Sequence, residues 1–388
     1  MSSIVLLMDS VPVVSPGGER LQVELSAALD RTCPADARAL VLRRSDQSEI
    51  GGFSRIRGEC VDPPALTRIQ RWRWIGSGLP SRARRFGATA VFAAGGVVTS
   101  RLRRERGVIV STNNMAPFLS PELLRGCSLL TKLRFRVSRR VVVRSLKMAD
   151  AVVLHSQHAL RTVSHFAGDI APKTTVVLTG VPRTTLLDAA AVPPGHPREG
   201  RPYLLYFSAI RWYKNHLGLI EAYRQVRERV DDLPDLILAG ICKDPDYLAA
   251  IRTAISKTSL NGRVSYIGEL PRQMVASWLH HATINVFPSL AETNSVIQAE
   301  ILGMRGVMAS SGIPPMSEVA VEAAEYFDPR DPADIARVLE ELWRRPERRD
   351  ELRRLAVRRA RELSWDACGE AIWRAARAAT DRHRERTS

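Results

Sequence analysis

Two glutamates in the segment PSLAETNSVIQAEILGM (288–304) lie eight positions apart, on either side of a cluster of polar residues. If the second half of the segment is helical, Glu300 lies roughly 10 to 12 Å beyond Glu292, at ~1.5 Å per residue. Two carboxylates so spaced match the length of a nucleotide sugar. They could accept hydrogen bonds from sugar hydroxyls at one end and ribose hydroxyls at the other. The alternative is that Glu292 merely favours a helix start and that Glu300 is a solvated side chain.

The elements around these glutamates place them at the edge of a sheet. The strand TINVFPS must end at Pro288, because proline cannot donate to the ladder. Apolar spacing then predicts a helix. Good N-cap residues precede it, namely Thr293, Asn294 and Ser295. A helix that opens directly after a parallel strand offers unpaired N–H groups and a positive dipole end, so it can bind phosphate.

A basic loop follows another predicted strand, in LLYFSAIRWYKNHLGLIEAY (204–223). The segment begins as a strand, turns through a loop that contains Arg211 and Lys214, and enters a helix. Cations at the carboxyl end of a strand are placed to neutralise a diphosphate. The alternative is an exposed basic turn.

A third candidate lies near the amino terminus, where Pro16, Gly17 and Gly18 separate the first predicted strand from an amphipathic helix. Glycine allows a backbone to approach a ligand closely, because no Cβ stands in the way. The GxGxxG spacing is missing, so the segment is not a dinucleotide fingerprint.

Short apolar runs such as SIVLLMD, DAVVLHS, PYLLYFS and TINVFPS alternate with helix-like stretches along the chain. This alternation predicts parallel sheets covered on both faces by helices, hence an α/β fold. A length of 388 residues suits two such domains. The segment 188–202 contains four prolines and two glycines, and we expect it to be the hinge.

Composition narrows the class of protein. The five cysteines are scattered and form no CxxC pair, which argues against a disulfide framework or a zinc site and favours a reducing cytoplasm. No 18 apolar residues follow one another, and the first residues, MSSIVLLMDS, lack the features of a signal peptide. We therefore expect no membrane span and a buried first strand.

The net charge of +16 is concentrated in the first half of the chain. Between Arg71 and Lys147 there are seventeen Lys and Arg against only Glu105 and Glu122. Such a region favours a polyanion: nucleic acid, an anionic membrane or a phosphorylated substrate. The segment 129–148 predicts a helix with a cationic side that can lie on an anionic membrane. The alternative is a core helix with a solvated basic side.

Together the three candidate elements resemble the retaining GT-B-fold glycosyltransferases, the large family that includes bacterial mannosyl-, glucosyl- and rhamnosyltransferases. The stretch PSLAETNSVIQAEILGMRGVMAS matches the family signature P-S-x-x-E-x(7)-E-A-x-x-x-G, with Ile301 in the usual alanine place. The likeness covers nearly the whole chain. It extends to ADAVVLHSQHALRTV, KTTVVLTGVP, SEVAVEAAEYFDPRDPADIA and LSWDACGEAIWRA.

This resemblance implies an α/β chain of GT-B architecture, with two Rossmann-like doubly wound domains facing an interdomain cleft. An acceptor domain would span 1–187, and a nucleotide-sugar donor domain would span 203–364, with 188–202 as linker. The C-terminal helix, 365–388, would return to pack on the first domain.

The resemblance also implies roles for single residues. Glu300 would hold the donor ribose, and Lys214 would contact the diphosphate. Glu292 and the amides of Thr293, Asn294 and Ser295 would address the transferred sugar and the phosphates. Gly17 and Gly18 would line the cleft, and the loop from Gly268 to Leu270 would meet the nucleotide base.

Three departures from the family pattern affect the predicted site. Ser208 and Ala209 stand where the family has Gly-Arg, so Arg211 would have to supply the missing charge. In place of the usual first-domain histidine the chain has Asn113 and Asn114, and Asn114 can orient a sugar but cannot move a proton. The usual Pro-Glu of a later loop is Ser317-Glu318.

We therefore expect a cytoplasmic enzyme that moves a sugar from a nucleoside diphosphate sugar to a glycan or lipid-linked acceptor, without a metal or other cofactor. We expect no metal site at the unevenly spaced histidines, namely His155, His158, His165, His280 and His281. Two alternatives stay open. One is a basic nucleic-acid-binding protein, although no nucleic-acid motif is present, and the other is a sugar-nucleotide isomerase or epimerase on the same fold.

Overall fold

A computed structural model describes residues 3–13, 16–45, 53–61, 67–125, 127–182, 201–256, 260 and 262–388. The chain divides into two compact units. Unit 1 consists of Met1–Gly180 and Ser364–Ser388, and unit 2 consists of Val181–Leu363. Of the predicted linker, 188–202, residues 188–200 lie outside the described residues.

Unit 1 is built on a seven-stranded parallel sheet with the order β3-β2-β1-β4-β5-β6-β7. The register pairs Leu6 of β1 with Ala39 of β2 on one side and with Ala90 of β4 on the other. The strands are β1 (Ile4–Asp9), β2 (Ala37–Arg44), β3 (Ile56–Val61), β4 (Ala90–Ala93), β5 (Gly107–Val110), β6 (Ala151–Leu154) and β7 (Thr174–Val176). The central strands are buried along their whole length, as a sheet covered on both faces requires.

The helices of unit 1 cover this sheet. They are α1 (Pro16–Arg31), α2 (Arg68–Arg73), α3 (Leu79–Phe86), α4 (Ser100–Glu105), α5 (Leu129–Met148), α6 (Gln157–Ala167) and, from the end of the chain, α14 (Trp365–Thr387). A π-helical turn, Trp74–Gly78, joins α2 to α3. Three-residue 3₁₀ turns lie at Ala116–Phe118 and Ala171–Lys173.

The C-terminal helix α14 packs inside unit 1. The Trp373 indole donates a hydrogen bond to the Leu29 carbonyl at 3.1 Å, and Arg31 pairs with Asp366. The backbone of α14 also passes close to β5, since a Cβ on Gly107 would lie 2.4 Å from the Ala379 oxygen. Only glycine permits that approach.

Unit 2 is built on a six-stranded parallel sheet with the order β10-β9-β8-β11-β12-β13. Its strands are β8 (Tyr203–Phe207), β9 (Asp235–Ala239), β10 (Val264–Tyr266), β11 (Ile284–Phe287), β12 (Met308–Ser311) and β13 (Glu325–Phe327). The covering helices are α7 (His216–Arg227), α8 (Pro245–Ser256), α9 (Arg272–His281), α10 (Val296–Gly303), α11 (Met316–Ala320), α12 (Pro332–Arg344) and α13 (Pro346–Glu362). A 3₁₀ turn, Trp212–Lys214, precedes α7.

The two sheets confirm the α/β prediction, because continuous apolar runs form strands that helices cover on both faces. In the part of the chain that the structure describes, no helix has the length and apolar content that crossing a bilayer requires.

The glycine pair near the amino terminus differs from the prediction. Helix α1 begins at Pro16, so Gly17 and Gly18 lie in its first turn rather than between strand and helix. Proline is well suited to a first helical position, because its missing N–H would have no partner there. The helix can therefore start before the glycines.

Candidate functional site

The loops after β8 and β11 meet at the centre of the unit 2 sheet. Strand order runs outward from β8 to β10 in one direction and from β11 to β13 in the other. At such a switch point the connections leave toward opposite faces, and a crevice opens at the carboxyl ends of the strands. Lys214 follows β8 and Glu292 follows β11, so the topology brings these two predicted residues together.

Lys214 and Glu292 form an ion pair across this point, between Nζ and Oε1. Their side chains are only 13% and 11% exposed. A backbone hydrogen bond from Leu290 to the Tyr213 carbonyl, at 2.8 Å, joins the same two loops. The loops are thus held to each other by main chain and by charge.

Tyr206, a fully buried residue of β8, contacts both loops through its hydroxyl. Its hydroxyl donates to the Lys214 carbonyl at 2.8 Å and lies 3.3 Å from the Ser289 hydroxyl. Ser289 in turn donates to Oε1 of Glu292 at 2.9 Å. The phenol therefore holds the backbone of the lysine, and the neighbouring serine holds the carboxylate of its partner.

The start of α10 lies directly after Glu292. Ser295 occupies the N-cap position, but its hydroxyl makes no capping hydrogen bond to the first turn. The Val296 amide donates to the Asn294 carbonyl at 3.1 Å. The first turn of α10 is therefore not capped by Ser295, and a helix start of this kind is suited to an anion. Thr293 and Asn294 are half-buried just before this turn.

Glu300 is buried inside unit 2, with 1% of its surface exposed. The alternative of a solvated side chain is therefore wrong. The residue lies on α10 as predicted, in a helix whose last six residues are all buried.

The loop after β10 is fixed to its neighbour. Gly268 adopts a positive φ of 79° and accepts a hydrogen bond from the Gly240 amide at 2.7 Å. A Cβ on Gly240 would lie 2.1 Å from the Ser208 oxygen, so glycine is required where these loops cross. A Cβ on Gly268 would meet nothing within 4 Å, which leaves open space beside that loop. Leu270 is half-buried in the same loop.

Four predicted residues remain, and one of them, Arg211, shares the loop of Lys214, since its carbonyl accepts a hydrogen bond from the Lys214 amide at 2.9 Å. Arg211 is exposed ahead of the 3₁₀ turn. Asn114, Gly17 and Gly18 belong to unit 1. Asn114 is exposed after β5, and its side-chain oxygen accepts a hydrogen bond from the Ala116 amide at 3.1 Å. In this structure Asn114 therefore stabilises a turn.

Sequence reasoning missed Tyr206, Ser289 and His216. Each lies in a segment that looks like ordinary strand, loop or helix. The signal that could have found them is a polar group in a position that must be buried, because such groups require a partner.

His216 begins α7 beneath the ion pair. Its ring is fully buried and packs against Tyr206 and Tyr247, with ring centroids 4.6 and 5.9 Å apart. Burial, and then the charge of Lys214, lower the pKa of His216 to about 3. The imidazole is therefore neutral near pH 7 and adds no second cation beside the lysine.

The carboxyl edge of the unit 1 sheet also carries a buried acid. Asp9, the last residue of β1, accepts hydrogen bonds from the Trp74 indole at 3.1 Å and from the Val11 amide at 3.2 Å. Burial raises the pKa of Asp9 to about 7, although both hydrogen bonds act in the opposite direction. The contact fixes the π-helical turn to β1.

Comparison with known proteins agrees with this geometry. Residues 191–359 match the family described as glycosyl transferases group 1, and the match covers the switch-point loops and α10. The second unit of this chain is therefore similar to that family. The two-sheet fold is GT-B, as its likeness to solved structures shows.

One relative in sequence is a D-inositol 3-phosphate glycosyltransferase from Thermomonospora curvata, 29% identical over 56% of this chain and 54% of the relative. The chain thus spans about half the length of that protein. The similarity to solved structures covers a larger share of this chain. A sucrose-phosphate synthase from Thermosynechococcus elongatus has a TM-score of 0.75 at 17% identity, with 96% of this chain and 98% of the other covered.

A second solved structure, Anabaena HepE in complex with UDP-glucose, has a TM-score of 0.72 at 15% identity, with the same coverage of both chains. At such identities the likeness establishes the fold.

The buried imidazole predicts a pH dependence of stability. Since the pKa of His216 is lowered from 6.5 to about 3, the unfolded chain binds a proton between these values that the folded chain does not. The contribution of His216 to the free energy of unfolding is therefore fully present above pH 6.5. It falls by up to about 1.4 kcal/mol per pH unit as the pH decreases toward 3.

His216→Phe keeps the ring contacts and removes the titration. We therefore expect the free energy of unfolding of the variant to rise relative to that of the original chain as the pH falls. Urea unfolding of both proteins across this pH range measures the difference. A difference between the two that stays constant with pH would contradict the assignment.

Proposed function

We propose that the protein transfers a sugar from a nucleoside diphosphate sugar to a glycan or lipid-linked acceptor, with retention of configuration at the anomeric carbon. The observation that carries this proposal is the Lys214–Glu292 ion pair, close in sequence to the start of α10, which Ser295 does not cap. Both lie at the sheet switch point of the unit that matches the glycosyl transferase family. The UDP-glucose complex of the Anabaena protein supports a donor of this class.

In the proposed arrangement the donor diphosphate becomes the partner of Lys214. The phosphate oxygens accept hydrogen bonds from the first amides of α10, and the released Glu292 carboxylate accepts hydrogen bonds from the hydroxyls of the transferred sugar. Glu300 holds the ribose, and the Gly268–Leu270 loop lies beside the base. Arg211 supplies further positive charge to the diphosphate.

The proposed reaction forms one bond and breaks one bond at the anomeric carbon. The acceptor oxygen bonds to that carbon, the bond from the carbon to the diphosphate oxygen breaks, and the acceptor proton passes to the leaving diphosphate. Lys214 and the helix amides stabilise the negative charge that develops on the diphosphate, and no metal is required. The neutral Asn114 orients a sugar hydroxyl, and Gly17 and Gly18 are proposed as ligand contacts by family resemblance.

We further propose that the protein works in the cytoplasm, in polysaccharide or cell-envelope glycan synthesis, attached to the inner face of the plasma membrane through residues 129–148. An anionic membrane accounts for the basic charge of this region, and we expect no nucleic-acid partner.

Replacing Glu300 tests the donor site. Glu300→Gln keeps the size of the buried side chain and removes its charge, and Glu300→Ala removes it altogether. Hydrogen bonds to a charged group contribute about 1.5–3 kcal/mol, so we expect donor affinity to fall roughly 10- to 100-fold. Thermal shifts against a panel of nucleoside diphosphate sugars identify the donor, and calorimetry measures the loss.

Glu347→Ala, at an exposed position of α13, serves as the control and should bind like the original chain. Unchanged affinity in both Glu300 variants would count against the assignment. A transfer assay in EDTA completes the test, and donor consumption that needs no acceptor would instead indicate an isomerase or epimerase.

Replacing Tyr206 tests the support beneath the ion pair. Tyr206→Phe leaves the Lys214 carbonyl without its donor, and Tyr223→Phe removes a similar buried bond, from Tyr223 to the Pro234 carbonyl at 2.9 Å. We expect both variants to lose about 1–3 kcal/mol of unfolding free energy. Only Tyr206→Phe should weaken donor binding, by calorimetry, and equal affinities would show that Tyr206 is merely structural.

A further inference from the structure

Helix α5 exposes an unusual amount of apolar surface in its first half. Four of its side chains, which we call the α5 apolar face, are Leu129, Leu130, Leu133 and Val137, and they are 84%, 66%, 56% and 52% exposed. Contiguous exposed apolar side chains of this size mark an interaction site, whereas isolated ones do not.

The α5 apolar face points away from unit 1. At about 100° per residue its members span an arc of about 100° on one side of the helix. The buried residues of α5 are Val142, Ser145 and Leu146, and they lie on nearly the opposite side. The predicted alternative, a core helix with only a basic side exposed, is therefore wrong for the first half of α5.

The position of α5 in the fold places this face beyond the carboxyl edge of the unit 1 sheet. The helix joins β5 to β6, which are parallel, so it runs back from the carboxyl edge to the amino edge. Its 20 residues span about 30 Å, while a four-residue strand such as β6 spans only about 13 Å. The first half of α5 therefore extends past the carboxyl edge, and all of its buried residues lie in the second half.

The charge around the α5 apolar face has one sign. The helix contains no acidic residue, and exposed basic side chains flank the face and continue its line, namely Arg134, Arg136, Arg140, Arg144 and Lys147. Within the described residues, none of these five forms an ion pair. A protein partner would have to supply many carboxylates, whereas an anionic bilayer supplies negative headgroups above a hydrocarbon layer that accepts leucine and valine.

We propose that the α5 apolar face inserts into an anionic membrane while the surrounding arginines bind lipid headgroups. This attachment places the carboxyl edge of the unit 1 sheet at the lipid surface. The acceptor would then be presented from the bilayer as a lipid-linked molecule, a point that rests on the proposed function. The attachment itself is argued from the surface of α5 and does not depend on the proposed sugar transfer.

Vesicle co-sedimentation of the full chain tests the attachment. Vesicles of phosphatidylglycerol and phosphatidylcholine should bind the protein at low salt and release it at high salt, and pure phosphatidylcholine should bind it weakly. Leu130→Glu with Leu133→Glu removes the insertion, and Arg134→Glu with Arg136→Glu reverses two charges. We expect each double variant to bind anionic vesicles roughly tenfold more weakly or worse.

A matched control comes from α13. Arg354→Glu with Arg361→Glu changes the net charge by the same amount as the arginine double variant, at exposed positions of α13 in unit 2. Within the described residues neither arginine forms an ion pair, and we expect vesicle binding to stay nearly unchanged. Equal binding to neutral and anionic vesicles, or α5 variants that bind like this control, would overturn the proposal.

The donor thermal shift distinguishes failure of this proposal from failure of the proposed function. The α5 variants should keep the shift that nucleoside diphosphate sugars produce in the original chain. If the original chain bound vesicles but showed no thermal shift with nucleoside diphosphate sugars, the result would support the membrane attachment and contradict the proposed donor site.

Discussion

The ion pair between Lys214 and Glu292 is the interaction on which the candidate site depends. Both side chains are nearly buried, and removing one partner from such a pair typically costs about 3–5 kcal/mol, because the other charge is left without compensation. A ligand that displaces Glu292 must therefore bring its own negative charge close to Lys214. In the proposed function a diphosphate does so, and the carboxylate that it releases binds hydroxyls of the transferred sugar. Under the proposed function the pair therefore selects for an anionic ligand.

Several features of unit 2 surround that pair. The order of the strands places the loops after β8 and β11 side by side. Tyr206 holds the backbone of Lys214 by a hydrogen bond, and Ser289 holds the carboxylate of Glu292. The buried, neutral His216 fills the space beneath without adding a second cation. Gly240 allows the next loop to cross closely, because no Cβ blocks the Ser208 oxygen. Unit 1 carries a different surface, in which α5 presents leucines and arginines at the carboxyl edge of its own sheet.

Much of this architecture follows from local patterns in the sequence. Continuous apolar runs predict the buried strands, and helix α5 begins and ends at the residues that its pattern indicates. The pairing of Lys214 with Glu292 spans 78 positions and depends on strand order, which no local pattern contains. Tyr206 looks like any buried strand residue until its hydroxyl is given a partner. Periodicity shows that α5 is amphipathic, but only the packed fold shows that Val142 and Leu146 face inward while Leu129 and Leu133 face outward. The early start of α1 was missed because glycines suggest a loop, although Pro16 can open a helix.

A crystal structure of the protein with a bound nucleoside diphosphate tests the central claim most directly, through the position of the Lys214 ammonium. The account predicts the diphosphate at the first turn of α10, with the ammonium in contact with a phosphate oxygen and no longer paired with Glu292. A diphosphate bound elsewhere, with the Lys214–Glu292 ion pair intact, would contradict it.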